Sequence, residues 1–279
     1  MNLKKRAYNG KEYILDEENQ VVRLSKDYHL KLLNSTNKFE CFKKFGGSSI
    51  GDIFLTDNFK SHFSAFCFIA RLKMPALQLK YIKAGIELEP KVIEYLKSIW
   101  ENETIEHIEA SKVDYDYFKE QNIIGGVPDG LIKNKKIVLE LKAVGAKKRK
   151  EWENENNNIP EDYKKQAQLY AHLLGYNHYM IVGTFLNEND YENTHLVDFK
   201  TQTQGFLFKV NHEQAKDDIK VIKEFWLKYT QLGISPQYRL DRSDNDLVNY
   251  LKCHNENEWK ELFNLWKEQG KIDEEIKFE

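Results

Sequence analysis

Apolar positions recur along the chain with the helical period in some regions and with strand-like alternation in others, which separates helical from strand regions. The N-terminal part has the helical period, which predicts helices at residues 26–45 and 61–73 and a long amphipathic helix at residues 77–101. Residues 12–24 predict a β-hairpin, because two apolar runs flank the turn-like sequence DEEN. The apolar stripe of the long helix consists of Ile82, Ile86, Val92, Ile93, Leu96 and Trp100.

Strand-like patterns begin at residue 104. Residues 104–118 alternate loosely, segments 123–132 and 136–144 predict a hairpin, and the apolar run at 179–186 predicts a central strand. The other predictions are a mobile polar loop at 151–160, a helix at 161–175, a strand pair at 194–200 and 204–210, and amphipathic helices at 211–232 and 243–269. This order indicates an α/β protein with a mixed central β-sheet flanked by helices and with additional N- and C-terminal helices.

Composition limits the classes of protein that fit this pattern. The 279 residues are 41% hydrophobic, which is enough for a sizeable core, and we expect a single domain with its core at about 40–210 and a C-terminal helical extension at 211–279. A net charge of −2 argues against a strongly basic DNA-coating protein, yet permits a local basic groove.

The cysteine and hydropathy patterns bear on the compartment. Three cysteines without CxxC spacing argue against structural zinc and disulfides and favour a reducing cytosol. We find no signal-peptide pattern and no apolar run of about 20 residues that would span a membrane. These observations predict a cytoplasmic protein without a membrane partner.

Three charged residues on the central hairpin carry the candidate chemistry. Asp129 ends one strand segment, and Glu140 and Lys142 lie two apart on the next, so their side chains share one face. Two neighbouring carboxylates repel unless a cation neutralises them. Hard carboxylate oxygens favour Mg²⁺, with Mn²⁺ as a substitute, and the backbone carbonyl of Leu141 would be a third ligand.

A metal, two acids and a lysine are the parts that phosphodiester hydrolysis needs. The metal lowers the pKa of a bound water and stabilises negative charge in the transition state. The lysine can orient that water, help to deprotonate it, and offset the developing charge. On these residues alone, a plain Glu140–Lys142 salt bridge on a half-exposed strand remains the alternative interpretation.

Five short motifs resemble a known family when they are read in order. Pro128-Asp129, Glu140-Leu141-Lys142 and the segment 166–170 (QAQLY) resemble the signature of the PD-(D/E)xK nuclease superfamily, in its RecB-like and lambda-exonuclease-like branches. Segments 46–49 (GGSS) and 85–90 (GIELEP) are similar to the YqaJ-type viral recombinase group within it. The resemblance covers roughly residues 40–185.

This resemblance implies a restriction-endonuclease-like core, DNA as substrate and roles for individual residues. Asp129 and Glu140 would bind Mg²⁺, and Glu89 would be the helix acid that reaches the metal directly or through water. Lys142 would be the catalytic lysine. Gln166 would orient the lysine, water or phosphate, and Tyr170, which shares its helical face, would bind the substrate, with an ordinary half-buried helix face as the alternative for both residues.

The substrate-binding expectations concern phosphate groups. Ser48 and Ser49 resemble the family's phosphate-gripping position at a helix N-terminus, although a simple N-cap explains them equally well. Lys43 and Lys44 stand where the family often has arginine, and Ser49 stands where it often has aspartate. The basic run Lys147, Lys148, Arg149 and Lys150 follows the catalytic strand and would hold the DNA backbone, with a solvated loop as the alternative.

The resemblance favours an exonuclease that acts on linear duplex ends in phage-type recombination or repair. It also suggests a single-strand annealing protein as a partner and a homo-oligomer, for which the sequence defines no interface. A restriction-type endonuclease and an inactive DNA-binding protein are the alternatives within the fold. Outside it, the G-x-S-x-G pattern at residues 47–51 formally fits a serine hydrolase with Ser49 as its nucleophile.

Overall fold

The structure, a computed structural model, describes residues 3–155, 157–240 and 244–279. Its strands are β1 (Tyr13–Asp16), β2 (Val21–Leu24), β3 (Ile105–His107), β4 (Gly130–Ile132), β5 (Ile137–Gly145), β6 (His178–Leu186) and β7 (Thr203–Lys209). Its helices are α1 (Lys26–Asn34), α2 (Gly51–Phe54), α3 (His62–Ile69), α4 (Lys80–Ile99), α5 (Arg149–Trp152), α6 (Glu161–Leu173), α7 (Phe199–Gln202), α8 (His212–Leu232), α9 (Asp244–Lys252) and α10 (Glu256–Glu268).

A five-stranded mixed sheet with the order β3-β4-β5-β6-β7 organises the middle of the chain. Only β5 and β6 are parallel, and α6 lies between them in the sequence, as a crossover connection requires. The expected α/β class, with a mixed sheet flanked by helices, is confirmed.

Helices cover both faces of this sheet. On one face, α6 contributes Ala167 and Tyr170 to a core that includes Val138 of β5 and Ile181 of β6. On the other face, residues of α4 pack against Leu139 of β5 and neighbouring strand residues. Residues 138–140 of β5 therefore alternate between two buried environments, which places Glu140 inside the protein.

Several predicted elements are present in the structure. The hairpin at 12–24 is the antiparallel pair β1–β2, and the segments at 123–132 and 136–144 contain the antiparallel pair β4–β5. The long amphipathic helix is α4, the helix at 161–175 is α6, and the central strand at 179–186 is β6.

The helix predicted at residues 26–45 is wrong in its length, because α1 ends at Asn34. Polar side chains after it bind the backbone and compete with helix continuation. Ser35 Oγ accepts a hydrogen bond from the Asn37 N–H, and Asn37 Oδ1 accepts one from the Phe39 N–H.

The strand pair predicted at 194–200 and 204–210 is wrong. The first segment forms helical turns, including α7, whose N-cap Asp198 accepts a hydrogen bond from the Lys200 N–H. The second segment, β7, pairs with β6 instead. The single helix at 243–269 is also wrong, because Asn255 caps a new helix, α10, after a break.

Two further expectations change. Only Ile105–His107 of the segment 104–118 is a strand, and residues 110–113 form a 3₁₀ turn. The polar loop predicted at 151–160 begins inside α5, where the buried Trp152 contacts Phe185 and Phe206 edge-on. Residue 156 lies outside the described part.

The chain divides into two compact units. Unit 1 comprises residues 1–45, 49–78 and 221–279, and unit 2 comprises residues 46–48 and 79–220. Unit 2 contains the five-stranded sheet, and unit 1 contains the β1–β2 hairpin and a core with Phe63 and Trp259. The single-domain expectation stays a prediction. Among the described residues, no helix has the length and apolar character needed to cross a bilayer.

Candidate active site

A pocket of about 330 Å³ opens in unit 2 between α4 and the ends of the central strands. The pairing of Gly130 with Leu139 brings the end of the 123–132 segment beside the middle of β5. The polar residues that line the pocket include Glu89, Asp129, Glu140, Lys142, Gln166 and Thr184, and the backbone position of Leu141 lines it as well. Residues from five separate parts of the sequence thus meet at one place.

Glu140 is the centre of the polar contacts. Its side chain is 1% exposed, and its Oε1 accepts hydrogen bonds from Lys142 Nζ at 2.5 Å and from Gln166 Nε2 at 2.6 Å. The other oxygen, Oε2, is buried and has no hydrogen-bond partner within the described part of the chain. Oε1 is therefore bound by two donors, whereas burial of Oε2 is unfavourable unless a cation or a hydrogen-bond donor binds it.

Asp129 brings a second carboxylate to the same pocket. Its Oδ2 accepts a hydrogen bond from the Leu141 N–H at 2.6 Å, which fixes it against β5. Burial, and then the Glu140 carboxylate, raise the pKa of Asp129 well above its ordinary value. Burial also raises the pKa of Glu140, against the opposing charge of Lys142.

Lys142 is held as an ammonium group. Burial works against its charge, but the Glu140 and Asp129 carboxylates outweigh burial and raise its pKa above the ordinary value. Its Nζ also lies 4.8 Å from the ring centroid of Tyr163, within cation–π range. The side chain is 20% exposed and lines the pocket.

The donor set fits a hard divalent cation. Two carboxylates with raised pKa values and one orphaned carboxylate oxygen create the local demand that such a cation satisfies. Throughout the described ranges, however, no three His, Cys, Asp or Glu side chains converge on one point. Glu89, the predicted third acid, instead accepts a hydrogen bond from His107 Nε2 at 2.8 Å.

His107 and Tyr163 are two contacts that the sequence did not reveal. His107 reaches Glu89 because β3 pairs with β4, which places His107 opposite Gly130, the residue after Asp129. A three-residue strand carries no periodic signal that could have shown this position. Tyr163 lies about one turn before Gln166 on α6.

Tyr170 lies in the core, outside the pocket lining. It is 1% exposed, stacks on Phe118, and accepts hydrogen bonds at its hydroxyl from Gly47 and Gln166. A Cβ at Gly126 would come within 2.1 Å of this hydroxyl, so only glycine fits there. Tyr170 therefore packs α6 against two glycine-containing segments.

Sequence comparison finds a partial match to one curated protein. No family model matches the chain. The uncharacterized protein MG373 of Mycoplasma genitalium is 29% identical over 113 residues, which cover 40% of this chain and 37% of that protein. The chain thus matches well under two thirds of that relative's length.

Three solved structures are similar in fold. LHK-Exo in complex with dAMP has a TM-score of 0.49 and 14% identity, and the match covers 82% of this chain and 94% of that one. The alkaline exonuclease LHK-Exo of Laribacter hongkongensis has a TM-score of 0.46 and 13% identity, with 73% and 92% covered. A phage related exonuclease of Haemophilus somnus 129PT has a TM-score of 0.47 and 14% identity, with 68% and 94% covered. They are of the kind that the sequence motifs resemble. At TM-scores below 0.5 they assign no activity to this chain.

The residues predicted to bind phosphate differ in their exposure. Ser49 is 1% exposed in the 3₁₀ turn Gly47–Ser49, and the side chain of Ser48 lies outside the described part. The exposed strand-to-helix turn of a serine hydrolase is not formed at Ser49. Lys43 lies partly buried, with Nζ 4.9 Å from the Phe68 ring centroid, and burial lowers its pKa. Lys43, Lys44 and Ser49 belong to unit 1.

The predicted basic run lies on the surface of unit 2 after β5. Lys147 is exposed, Lys148 pairs with Glu151 at 2.9 Å, and Arg149 pairs with Glu153 at 2.8 Å. Exposed pairs of this kind contribute little to stability, so phosphates can replace the acids at small cost. The role of this run in binding DNA stays a prediction.

Proposed function

We propose that the protein is a divalent-metal-dependent nuclease that hydrolyses phosphodiester bonds of DNA in the pocket at Glu140. The observation that carries this proposal is the divided environment of the Glu140 carboxylate. One oxygen binds Lys142 and Gln166, while the other is buried and unpartnered among the described residues, beside Asp129.

Asp129, Glu140 and the Leu141 carbonyl would hold Mg²⁺ or Mn²⁺, with Glu89 contributing directly or through water. Such an ion, when bound, supplies a more acidic water and positive charge opposite the reacting phosphate. The protein would otherwise leave two carboxylates desolvated next to each other, which is unfavourable without a cation.

Lys142 acts as an ammonium donor beside the reacting group in this proposal. Its raised pKa keeps it charged, so it can orient the attacking water and offset negative charge on the phosphate oxygens. Gln166 is a positioning residue, because its amide holds Glu140 Oε1 and thereby directs Oε2 toward the pocket. His107 has a similar role toward Glu89.

We further propose that the enzyme is an exonuclease that acts on the ends of linear duplex DNA in phage-type recombination or repair. Support comes from the order of the motifs at 46–49, 85–90, 128–129, 140–142 and 166–170. The same motifs favour a single-strand annealing protein as partner and a homo-oligomeric form.

One incubation series tests the proposed activity. Linear and closed circular duplex DNA are each incubated with Mg²⁺, with Mn²⁺ and with EDTA, and products are separated by size. We expect mononucleotides or short products from linear DNA, intact circles, and no reaction in EDTA. Full activity in EDTA contradicts the metal proposal, and cleavage of circles at the linear rate supports an endonuclease instead.

A further inference from the structure

A large basic pocket in unit 1 shares no residue with the candidate active site. It has a volume of about 870 Å³, near the upper end of the about 300–1,000 Å³ typical of small-molecule sites. Six basic residues line it against three acidic ones, in a protein whose net charge is −2. The basic residues are Lys5, Arg6, Lys11, Lys26, Lys31 and Arg71.

Neither of the two arginines has a described carboxylate within salt-bridge distance. Arg71 donates to the backbone carbonyls of Cys41 and Lys38. Arg6 donates to the carbonyls of Ala7 and Tyr250, and its Nη1 is buried without a partner among the described residues. Because carbonyls hold a guanidinium in place without cancelling its charge, these contacts fix positive potential in the pocket.

Two lysines add exposed charge to the same pocket. Lys11 and Lys26 are exposed, and neither has a carboxylate within salt-bridge distance in the described ranges. Lys31 has only a long contact to Glu40, at 3.8 Å between surface side chains. These cations are therefore available to phosphate groups at little cost.

An aromatic side chain completes the pocket. Phe39 is 68% exposed, which is unusual for a phenylalanine, and Lys38 Nζ lies 5.1 Å from its ring centroid. Fixed positive charge that follows a backbone, next to an exposed ring on which a base can stack, is the combination that binds single-stranded nucleic acid.

We infer that this pocket binds a segment of single-stranded DNA through its phosphates, with Phe39 stacking on a base. The inference deepens the proposed function and rests on it only for the choice of DNA as the polymer. The pocket would hold a strand through residues that take no part in cleavage, which would keep the enzyme on its substrate between successive cuts.

Charge reversal with a matched control tests the site. Binding of a fluorescent oligothymidylate of about 20 nucleotides is followed by anisotropy in EDTA, where no cleavage is expected. Lys11→Glu/Lys26→Glu should raise Kd at least about tenfold and flatten the dependence of log Kd on log salt by about one to two units. Lys223→Glu/Lys260→Glu changes the charge equally at exposed positions of unit 1 outside this pocket, and should change Kd less than about twofold.

Two further arms separate the outcomes. Phe39→Ala should weaken binding several-fold, whereas Phe59→Ala, at a ring outside the pocket that is 80% exposed, should not. Equal effects of the pocket and control variants overturn the inference, as does competition by thymidine monophosphate as effective per phosphate as the oligonucleotide. Cleavage by the wild type is measured separately. If the pocket variants lose strand binding but the wild type shows no chelator-sensitive cleavage, only the proposed function is contradicted.

Discussion

The pocket contains a contact set of three side chains that stabilise one another, namely Glu140, Lys142 and Gln166. The buried carboxylate would be costly without the ammonium and the amide, and the ammonium keeps its charge because the carboxylates surround it. Period-2 spacing on β5 was enough to predict that Glu140 and Lys142 share a face. Gln166 came only from the family resemblance, because a glutamine on a helix has no distinctive spacing.

Replacement of Lys142 tests the contact set directly. We expect Lys142→Ala to lower kcat by about 10²–10³-fold with little change in DNA affinity, because the charge acts on the reacting phosphate. Lys142→Arg should fail as well, since a planar guanidinium does not fit where a compact ammonium contacts Glu140. Lys209→Ala, at an exposed lysine of β7, is the control. Activity within a few fold of wild type would show that the lysine is structural.

Asp129 links the site to the stability of the metal-free protein. Its pKa is raised in the folded chain, so between the unfolded value and the folded value the folded chain binds more protons than the unfolded one. Its contribution to stability therefore falls as the pH rises through that window. In EDTA, Asp129→Asn should raise Tm at pH 8 by about 2–4 °C, the shift expected for about 1 kcal/mol, and should change it little at pH 4.

When metal is added in the same experiment, we expect Tm to rise in the wild type and not in the variant. Mn²⁺ should raise Tm of the wild type at pH 8 and leave Asp129→Asn almost unchanged, because binding to the folded state stabilises it in proportion to affinity. Differential scanning fluorimetry with and without metal measures both effects. A lower Tm for Asp129→Asn in EDTA would mean that its hydrogen bond to Leu141 outweighs the repulsion from Glu140.

At the scale of elements, α6 contacts both Glu140 in the pocket and the two segments that contain Gly47 and Gly126. Gln166 faces Glu140, and one turn later Tyr170 contacts Gly47 and Gly126. The helix could be predicted from its apolar period, and its contacts could not, because they depend on glycines far away in the sequence. The same limit explains the errors at 26–45 and 243–269, where Asn37 accepts a hydrogen bond from the Phe39 N–H and Asn255 caps a new helix, so that the helix does not continue.

Gly126 offers a test of this packing. Gly126→Ala introduces a Cβ at a φ of +113° and within 2.1 Å of the Tyr170 hydroxyl, so we expect a loss of roughly 2–5 kcal/mol in unfolding free energy. Tyr170→Phe in the same chain should recover part of that loss. Gly85→Ala is the control, because nothing lies within 4 Å of its new Cβ on α4, and it should stabilise by about 0.5–1 kcal/mol. Urea denaturation measures all three, and an unchanged Gly126→Ala would contradict the close contact.

At the scale of the whole molecule, the net charge of −2 and the basic pocket of unit 1 make opposite contributions to DNA binding. The formal charge, read from composition, suggested weak binding along duplex DNA. The pocket could not have been predicted, because its cations come from segments separated by up to tens of residues.

This distribution of charge predicts how much DNA is degraded in one binding event. If the pocket retains a strand between cuts, Lys11→Glu/Lys26→Glu should shorten the tract degraded per binding event and leave cleavage of a short oligonucleotide within about twofold of wild type. Degradation of end-labelled linear DNA in the presence of excess unlabelled trap DNA measures the tract length. Tracts of equal length in the variant and in Lys223→Glu/Lys260→Glu would argue against retention by this pocket.

The interleaving of the two units along the chain has a consequence for biosynthesis. Unit 1 is built from residues 1–45, 49–78 and 221–279, and the Val22 N–H, for example, donates to Ser235 Oγ. Because the ribosome makes the chain from its N-terminus, the early segments of unit 1 must wait for the segment after residue 220. The sheet with its Glu140 pocket can form while unit 1 is still incomplete, so a nascent chain would assemble the Glu140 pocket before the basic pocket of unit 1.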